Sequence, residues 1–150
     1  MMAGYKQPVS VLVLIHTAAG RVLLIERADR QGFWQSVTGS HEADEALPDT
    51  ARRELMEETG FAASAGVLDN WQQHNVYEIY PHWRHRYAPG VTHNTEHVFG
   101  FCLPGELSPL LNPREHTAFE WLDWQEAACR VFSPSNAAAI RELGRRLAST

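Results

Sequence analysis

The sequence predicts an α/β domain, with strands and helices mixed along the chain, and three observations lead there. Two largely apolar runs, Val9 to Ile15 and Arg21 to Glu26, stand a short turn apart and read as neighbouring strands of a buried sheet. A helix from about Leu47 to Thr59 has Pro48 in its first turn and Gly60 just past its end. The missing Pro donor does no harm there, and Gly supplies a left-handed stop. An amphipathic helix spans Ser135 to Leu147, with Ala138, Leu143 and Leu147 among its apolar positions.

The remaining elements follow in order. Thr17 to Gly20 forms the turn between the first two strands, and a polar loop with Asp29, Arg30 and Gln31 leads to the aromatic segment Phe33 to Val37. Asn75 to Tyr80 and Thr95 to Leu103 are expected to be strands, and Phe119 to Leu122 a short one. The 150 residues, 44% of them apolar and 21% charged, are expected to form one domain over 1–150. That length buries roughly 70% of the unfolded surface, so no metal or disulfide staple is needed.

A formal charge of -5 disfavours nucleic acid and anionic lipid as partners, so any phosphate ligand must be held locally. The two cysteines, Cys102 and Cys129, lack metal-site or disulfide spacing. No apolar run is long enough to span a membrane and no segment resembles a signal peptide. A cytoplasmic location is expected.

At 100° per residue, Glu54, Glu57 and Glu58 share one stripe of the first helix, while Ala51, Leu55 and Met56 lie on another. Like charges at this spacing cost an isolated helix roughly 0.2–0.5 kcal/mol per pair. A bound divalent cation offsets that repulsion. Around the stripe, Gly39, Glu45, Arg53, Glu54, Leu55, Glu57, Glu58, Gly60 and Phe61 fill every specified position of G-x5-E-x7-R-E-U-x-E-E-x-G-U, where U is apolar. Average residue usage makes an accidental match in such a chain on the order of 1 in 10 million.

This pattern is the signature of the Nudix hydrolases, and the chain resembles that family. The resemblance implies a mixed β-sheet sandwiched between α-helices, with a loop-helix-loop catalytic motif. It implies hydrolysis of a phosphoanhydride in a nucleoside diphosphate linked to another moiety. Asp44 stands where many members have Gly before the first Glu, and Asp tolerates a left-handed turn.

Oxygen ligands suit Mg²⁺, or Mn²⁺, which keep waters and bridge to substrate phosphates. Glu54 and Glu58 are the best-placed ligand pair, with Glu57 a further ligand. Arg53 cannot bind a cation but can pair with Glu45 and pin the loop to the helix. Glu115, opening EHTAFEWL, either completes the metal site or acts as general base, since both need only a carboxylate near the water.

The substrate is set outside the box. The segment Tyr77 to Phe99 concentrates aromatic and basic side chains suited to a planar ring bearing phosphates. His82 with His85, or His93 with His97, lack partner cysteines for a zinc site. YKQPVSVLVLI, FWQSVTGS and RHRYAPGVTHNTE are similar to the bacterial branch of the family that acts on 7,8-dihydroneopterin triphosphate in folate synthesis. That similarity implies release of pyrophosphate and a pterin monophosphate. It places Lys6, Arg27 and Thr38 beside the substrate and Tyr77, Glu78, Ile79 and Tyr80 around the pterin, Glu78 accepting from ring donors. Ser133 either touches substrate or caps the last helix. The alternatives are a nucleotide-pool enzyme acting on deoxynucleoside triphosphates such as dATP, and a binding module without turnover. The box carboxylates, all present, disfavour the latter. The oligomeric state is left open.

Overall fold

In the computed structural model, which describes residues 4–149, a seven-stranded mixed sheet carries helices on both faces. Its central strand β1 (Val9–Thr17) is buried on both sides from Ser10 onward, as its continuous apolar run requires. β1 runs parallel to β6 (His93–Leu103) along its whole length, and β5 (Val67–Glu78) adds to β6 antiparallel.

The other edge of β1 is divided. β2 (Arg21–Arg27) pairs with β1 at His16↔Val22, and β4 (Val37–Ser40) takes over between Val13↔Val37 and Ser10↔Ser40. β2 then pairs with β3 (Trp34–Gln35) and β7 (His116–Asp123). The sheet therefore forks beside β1, and the fork opens next to the loop that enters the first helix.

Strand alternation sorts the core into two halves. Val11, Val13, Ile15, Phe99 and Phe101 pack towards Ala51 and Leu55 of α1 (Leu47–Thr59). Leu12, Leu14 and Val98 pack towards α2 (Trp124–Arg130) and α3 (Pro134–Ala148) through Ala127, Ala139, Ile140 and Leu143. Each large apolar side chain buried this way contributes roughly 1.5–3 kcal/mol. Asn136 ties α3 to the fork: its amide accepts from the Ser36 N–H (2.9 Å) and donates to the Ser36 hydroxyl (3.0 Å).

α1 has the limits expected from Pro48 and Gly60, the latter at φ 74. β5 starts at Val67 rather than Asn75 and ends at Glu78, so Tyr80 lies outside it. As an edge strand it buries Trp71 among mostly exposed neighbours, and a bulge with Gln72 at φ 58 breaks its alternation. β4 and α2 carried no sequence pattern, being four and seven residues long. Met56, placed on the apolar side of α1, is half exposed. The left-handed residue of the loop before α1 is Ala43 at φ 49, not Asp44.

Candidate active site

The buried face of α1 includes Glu54 and Glu58 together with Ala51 and Leu55. Glu57 turns outward, its side chain 54% exposed and 3.4 Å from Arg53 Nη1. The stripe of three glutamates thus splits into an inner pair and an outer member. β4 crosses directly over the inner pair: a Cβ on Gly39 would lie 1.9 Å from Glu54 Cδ. A bare backbone at position 39 lets the carboxylate tuck beneath the strand.

Gly39→Ala is therefore expected to push the Glu54 carboxylate aside while the fold survives, because the clash is with the end of a flexible side chain. Misplacement on this scale costs on the order of 100-fold in turnover. Steady-state kinetics beside a thermal melt would check it, and unaltered turnover would contradict the packing argument.

Burial raises the affinity of Glu54 and Glu58 for protons, most strongly at Glu58, where the Glu54 charge and then Glu115 add to the effect. A backbone hydrogen bond from Thr38 only partly opposes it. The two carboxyls hydrogen-bond to each other and behave as a pair holding a proton. Glu58 Oε1 is buried without a hydrogen-bond partner. Such an orphan oxygen beside a second carboxylate fits a divalent cation. Among the described residues no three acidic, imidazole or thiol side chains enclose an ion by themselves.

Arg53 organises the loop. Nε and Nη2 donate to the two Glu45 oxygens at 2.9 and 3.0 Å, Nη2 to the Ser40 carbonyl at 2.8 Å, and Nη1 to Glu54 Oε2 at 3.0 Å. Donation from Arg53 holds the Glu45 carboxyl down to about 2. Glu45 also accepts from the Glu42 N–H and the Thr50 hydroxyl, so the loop closes on the helix through one residue.

A cleft of about 360 Å³ opens above Glu58 and Glu115, lined by Lys6, Arg27, Arg86 and Arg114. Burial and the nearby Arg86 lower the Lys6 pKa. Arg27 is paired with Asp29 through two bonds of 2.8 and 2.7 Å and lies over the Trp83 ring. Thr38 lines the cleft although its hydroxyl donates to the Val11 carbonyl. Glu115 is exposed at the rim, near Asn112.

The cleft continues into a second chamber of about 320 Å³, which shares Arg27, Gln35, Thr38, Tyr77, Trp83 and Tyr87 with it. Tyr77, Ile79 and Tyr80 line this chamber; burial pushes the Tyr77 phenol up to about 12. Ser133 borders it and also caps α3, its hydroxyl accepting from the Asn136 N–H. Glu78 touches the chamber, but its carboxylate is 67% exposed and accepts from Arg84 at 2.6 Å. Its ring-binding role therefore meets a competing cation.

Several lining groups carried no sequence signal, because only the fork and α3 bring them together. Glu96 and Asn136 are buried at the chamber wall. His116 follows Glu115, its Nε2 3.9 Å from Glu58 Oε1. Burial and the Arg27 charge hold its imidazole down to about 4, so it is neutral at pH 7. His82 stacks on Tyr80, and His97 lies by His74. Another hollow of about 490 Å³, between β5, β6 and α3, presents Glu142 paired with Arg145 and Arg146.

The fold and this site define a hydrolase domain, and the chain belongs to the NUDIX family: the model of the NUDIX domain matches residues 6–144. It is 45% identical over 141 residues to the dihydroneopterin triphosphate diphosphatase of Escherichia coli K12, covering 92% of this chain and 93% of that one. The Haemophilus influenzae enzyme of the same name is 40% identical over 145 residues, covering 95% and 90%. The solved E. coli dihydroneopterin triphosphate pyrophosphohydrolase superposes with a TM-score of 0.86 over 93% of this chain and 97% of that one, at 45% identity. A Caenorhabditis elegans Ap4A hydrolase shares the fold at 18% identity, with a TM-score of 0.73 over 95% and 98% of the two chains. The chain is a Nudix hydrolase, and members of this family use a divalent metal. Among the described residues no helix is long and apolar enough to cross a membrane.

Proposed function

We propose that this chain is a Mg²⁺-dependent pyrophosphohydrolase that converts 7,8-dihydroneopterin triphosphate and water to the monophosphate and pyrophosphate, in the cytoplasm and without a nucleic-acid partner. The observation that carries the reading is continuity: the orphan oxygen of Glu58 lies at one end of a cation-lined cleft whose other end is an aromatic chamber. One ligand with a charged tail and a flat head fits both ends. The two relatives of that activity support the choice of head.

Glu54 and Glu58 would hold the cation, with Glu57 or Glu115 as a candidate further ligand. When bound, the cation supplies neutralisation of phosphate charge and acidification of water. Lys6, Arg86 and Arg114 line the cleft where a phosphate chain would lie and offset its charge. Glu115, exposed at the rim, is free to accept a proton from water. His116 is neutral and buried beside Glu58, so it adds no charge that would compete for that carboxylate. Hydrolysis breaks the α–β anhydride: water adds to one phosphorus and the bridging oxygen leaves on the other.

The deciding experiment incubates the protein with the pterin triphosphate and Mg²⁺ and identifies the products. Pyrophosphate with the monophosphate is expected, and orthophosphate alone would refute the bond assignment. Competing kinetics with dATP separates the pterin reading from the nucleotide-pool reading.

Metal dependence has a stability signature. The Glu58 pKa is raised in the folded state, so the metal-free fold binds a proton that the unfolded chain releases. Its stability then falls as pH climbs from the ordinary carboxylate range through the raised pKa. A cation held by Glu54 and Glu58 would compete with that proton, so added Mg²⁺ is expected to raise Tm more at pH 8 than at pH 6. At ten times the dissociation constant, the gain is about 1.4 kcal/mol, or ~3–6 °C. A melt insensitive to Mg²⁺ at both pH values would count against the carboxylate pair as ligands.

A further inference from the structure

We propose that Glu96 is the specificity-determining residue of the inner chamber, its carboxylate receiving the paired N–H donors of a 2-amino-4-oxo pyrimidine edge such as that of a pterin. The assignment deepens the functional reading above and rests on it. Glu96 lies on β6 and is 4% exposed, yet it lines the chamber. Its Oε1 accepts from the Ser135 hydroxyl at 2.9 Å, and the Asn75 side chain is a further donor.

Among the described residues no lysine, arginine or histidine forms an ion pair with it. Burial accordingly raises its pKa. A buried carboxylate without a cation costs more than glutamine or an apolar residue of similar size, so folding gains nothing from the charge. Ser135 and Asn75 supply two neutral donors, and a ligand supplies the further ones.

The surroundings fix the class of ligand. Tyr77, Ile79, Leu12 and Phe132 bound the chamber with flat or apolar surface suited to a ring. Each carboxylate oxygen has about two lone-pair sites, so the Ser135 and Asn75 bonds together leave acceptor capacity open. An amino group next to a ring N–H presents two donors side by side, which an ionised carboxylate accepts together. Adenine presents an amino donor beside a ring-nitrogen acceptor, and an ionised carboxylate satisfies only the first. Glu78, the alternative acceptor, is taken up by Arg84 at the surface.

The test is the ratio of kcat/KM for 7,8-dihydroneopterin triphosphate to that for dATP, in the wild type and in Glu96→Gln. Glutamine offers one acceptor and one donor, the pattern that suits adenine, so the ratio is expected to fall roughly 100-fold. A wild type that prefers the pterin and a variant that keeps that preference overturn the role of Glu96 alone. A wild type that prefers dATP overturns the functional reading, and this assignment with it. Affinity for free dihydroneopterin, followed by its fluorescence without divalent cation, supplies a readout independent of turnover and is expected to drop about tenfold or more in the variant. If circular dichroism shows that Glu96→Gln does not fold, Glu96→Asp keeps the charge one methylene back and should weaken pterin binding in the same direction. Unchanged affinity in that variant would also overturn the proposal.

Discussion

Glu58→Gln is expected to make the metal-free protein more stable than the wild type while nearly abolishing its hydrolysis. The wild-type carboxyl is 6% exposed, has an unpartnered oxygen and faces Glu54. Replacing it by an isosteric amide removes the buried charge, and the new N–H₂ can donate to Glu54. Relief of an unsatisfied buried group of this kind amounts to about 1–2 kcal/mol, or ~2–8 °C in Tm. The advantage should be greatest well above pH 4.5 and shrink as acid protonates the wild-type group, since a raised native pKa makes the charged form the unfavourable one. Pyrophosphate release should fall by roughly 10³-fold, the scale of losing a principal group that stabilises transition-state charge. Melts in a chelator beside a Mg²⁺ assay give both numbers. Near-normal turnover would remove Glu58 from the site, and a lower metal-free Tm would remove the electrostatic argument.

Arg53→Met is expected to do the opposite to stability and the same to activity. Its guanidinium satisfies both oxygens of Glu45, the Ser40 carbonyl and Glu54, and methionine keeps the stem but none of the donors. Breaking a buried pair costs about 3–5 kcal/mol. The Arg53 and Glu45 side chains are each 21% exposed, so solvent screening brings the expected loss nearer about 2 kcal/mol. The acid profile should change as well. Glu45, held down to about 2 in the fold, contributes stability that is full above its ordinary value near 4.5 and lost as pH falls towards 2. In the variant that stretch of the curve should flatten. A melt series from pH 7 to pH 2 would show it, and superimposable curves would mean that the loop is held by something else.

These residues also show what a linear chain reveals and what it hides. The box, its helix limits and the Arg53–Glu45 pair are local or fixed in spacing, so residue identities express them. Glu54 and Glu58 could be placed on one stripe with Glu57, but their division between inside and outside depends on β4 crossing at Gly39, which no helical period reports. β4 itself is held by its position beside β1 rather than by its four residues. Glu96 sits in a strand whose pairing with β1 was not readable, and its chamber is completed by α3. Glu78 receives its ring-binding role from the resemblance, and nothing in the sequence shows that Arg84 folds back onto it.

The alternation of Thr38 and Gly39 along β4 has an evolutionary corollary. Gly39 meets the helix that bears the hydrolytic glutamates, whereas Thr38 stands at the junction of the cleft and the ring chamber. The chamber draws on Glu96, Ser135 and Asn136, none of which supports α1. Substitution at Glu96 or Ser135 would alter the lining seen by a head group without touching a residue packed on α1, so head-group choice and cutting are open to separate variation.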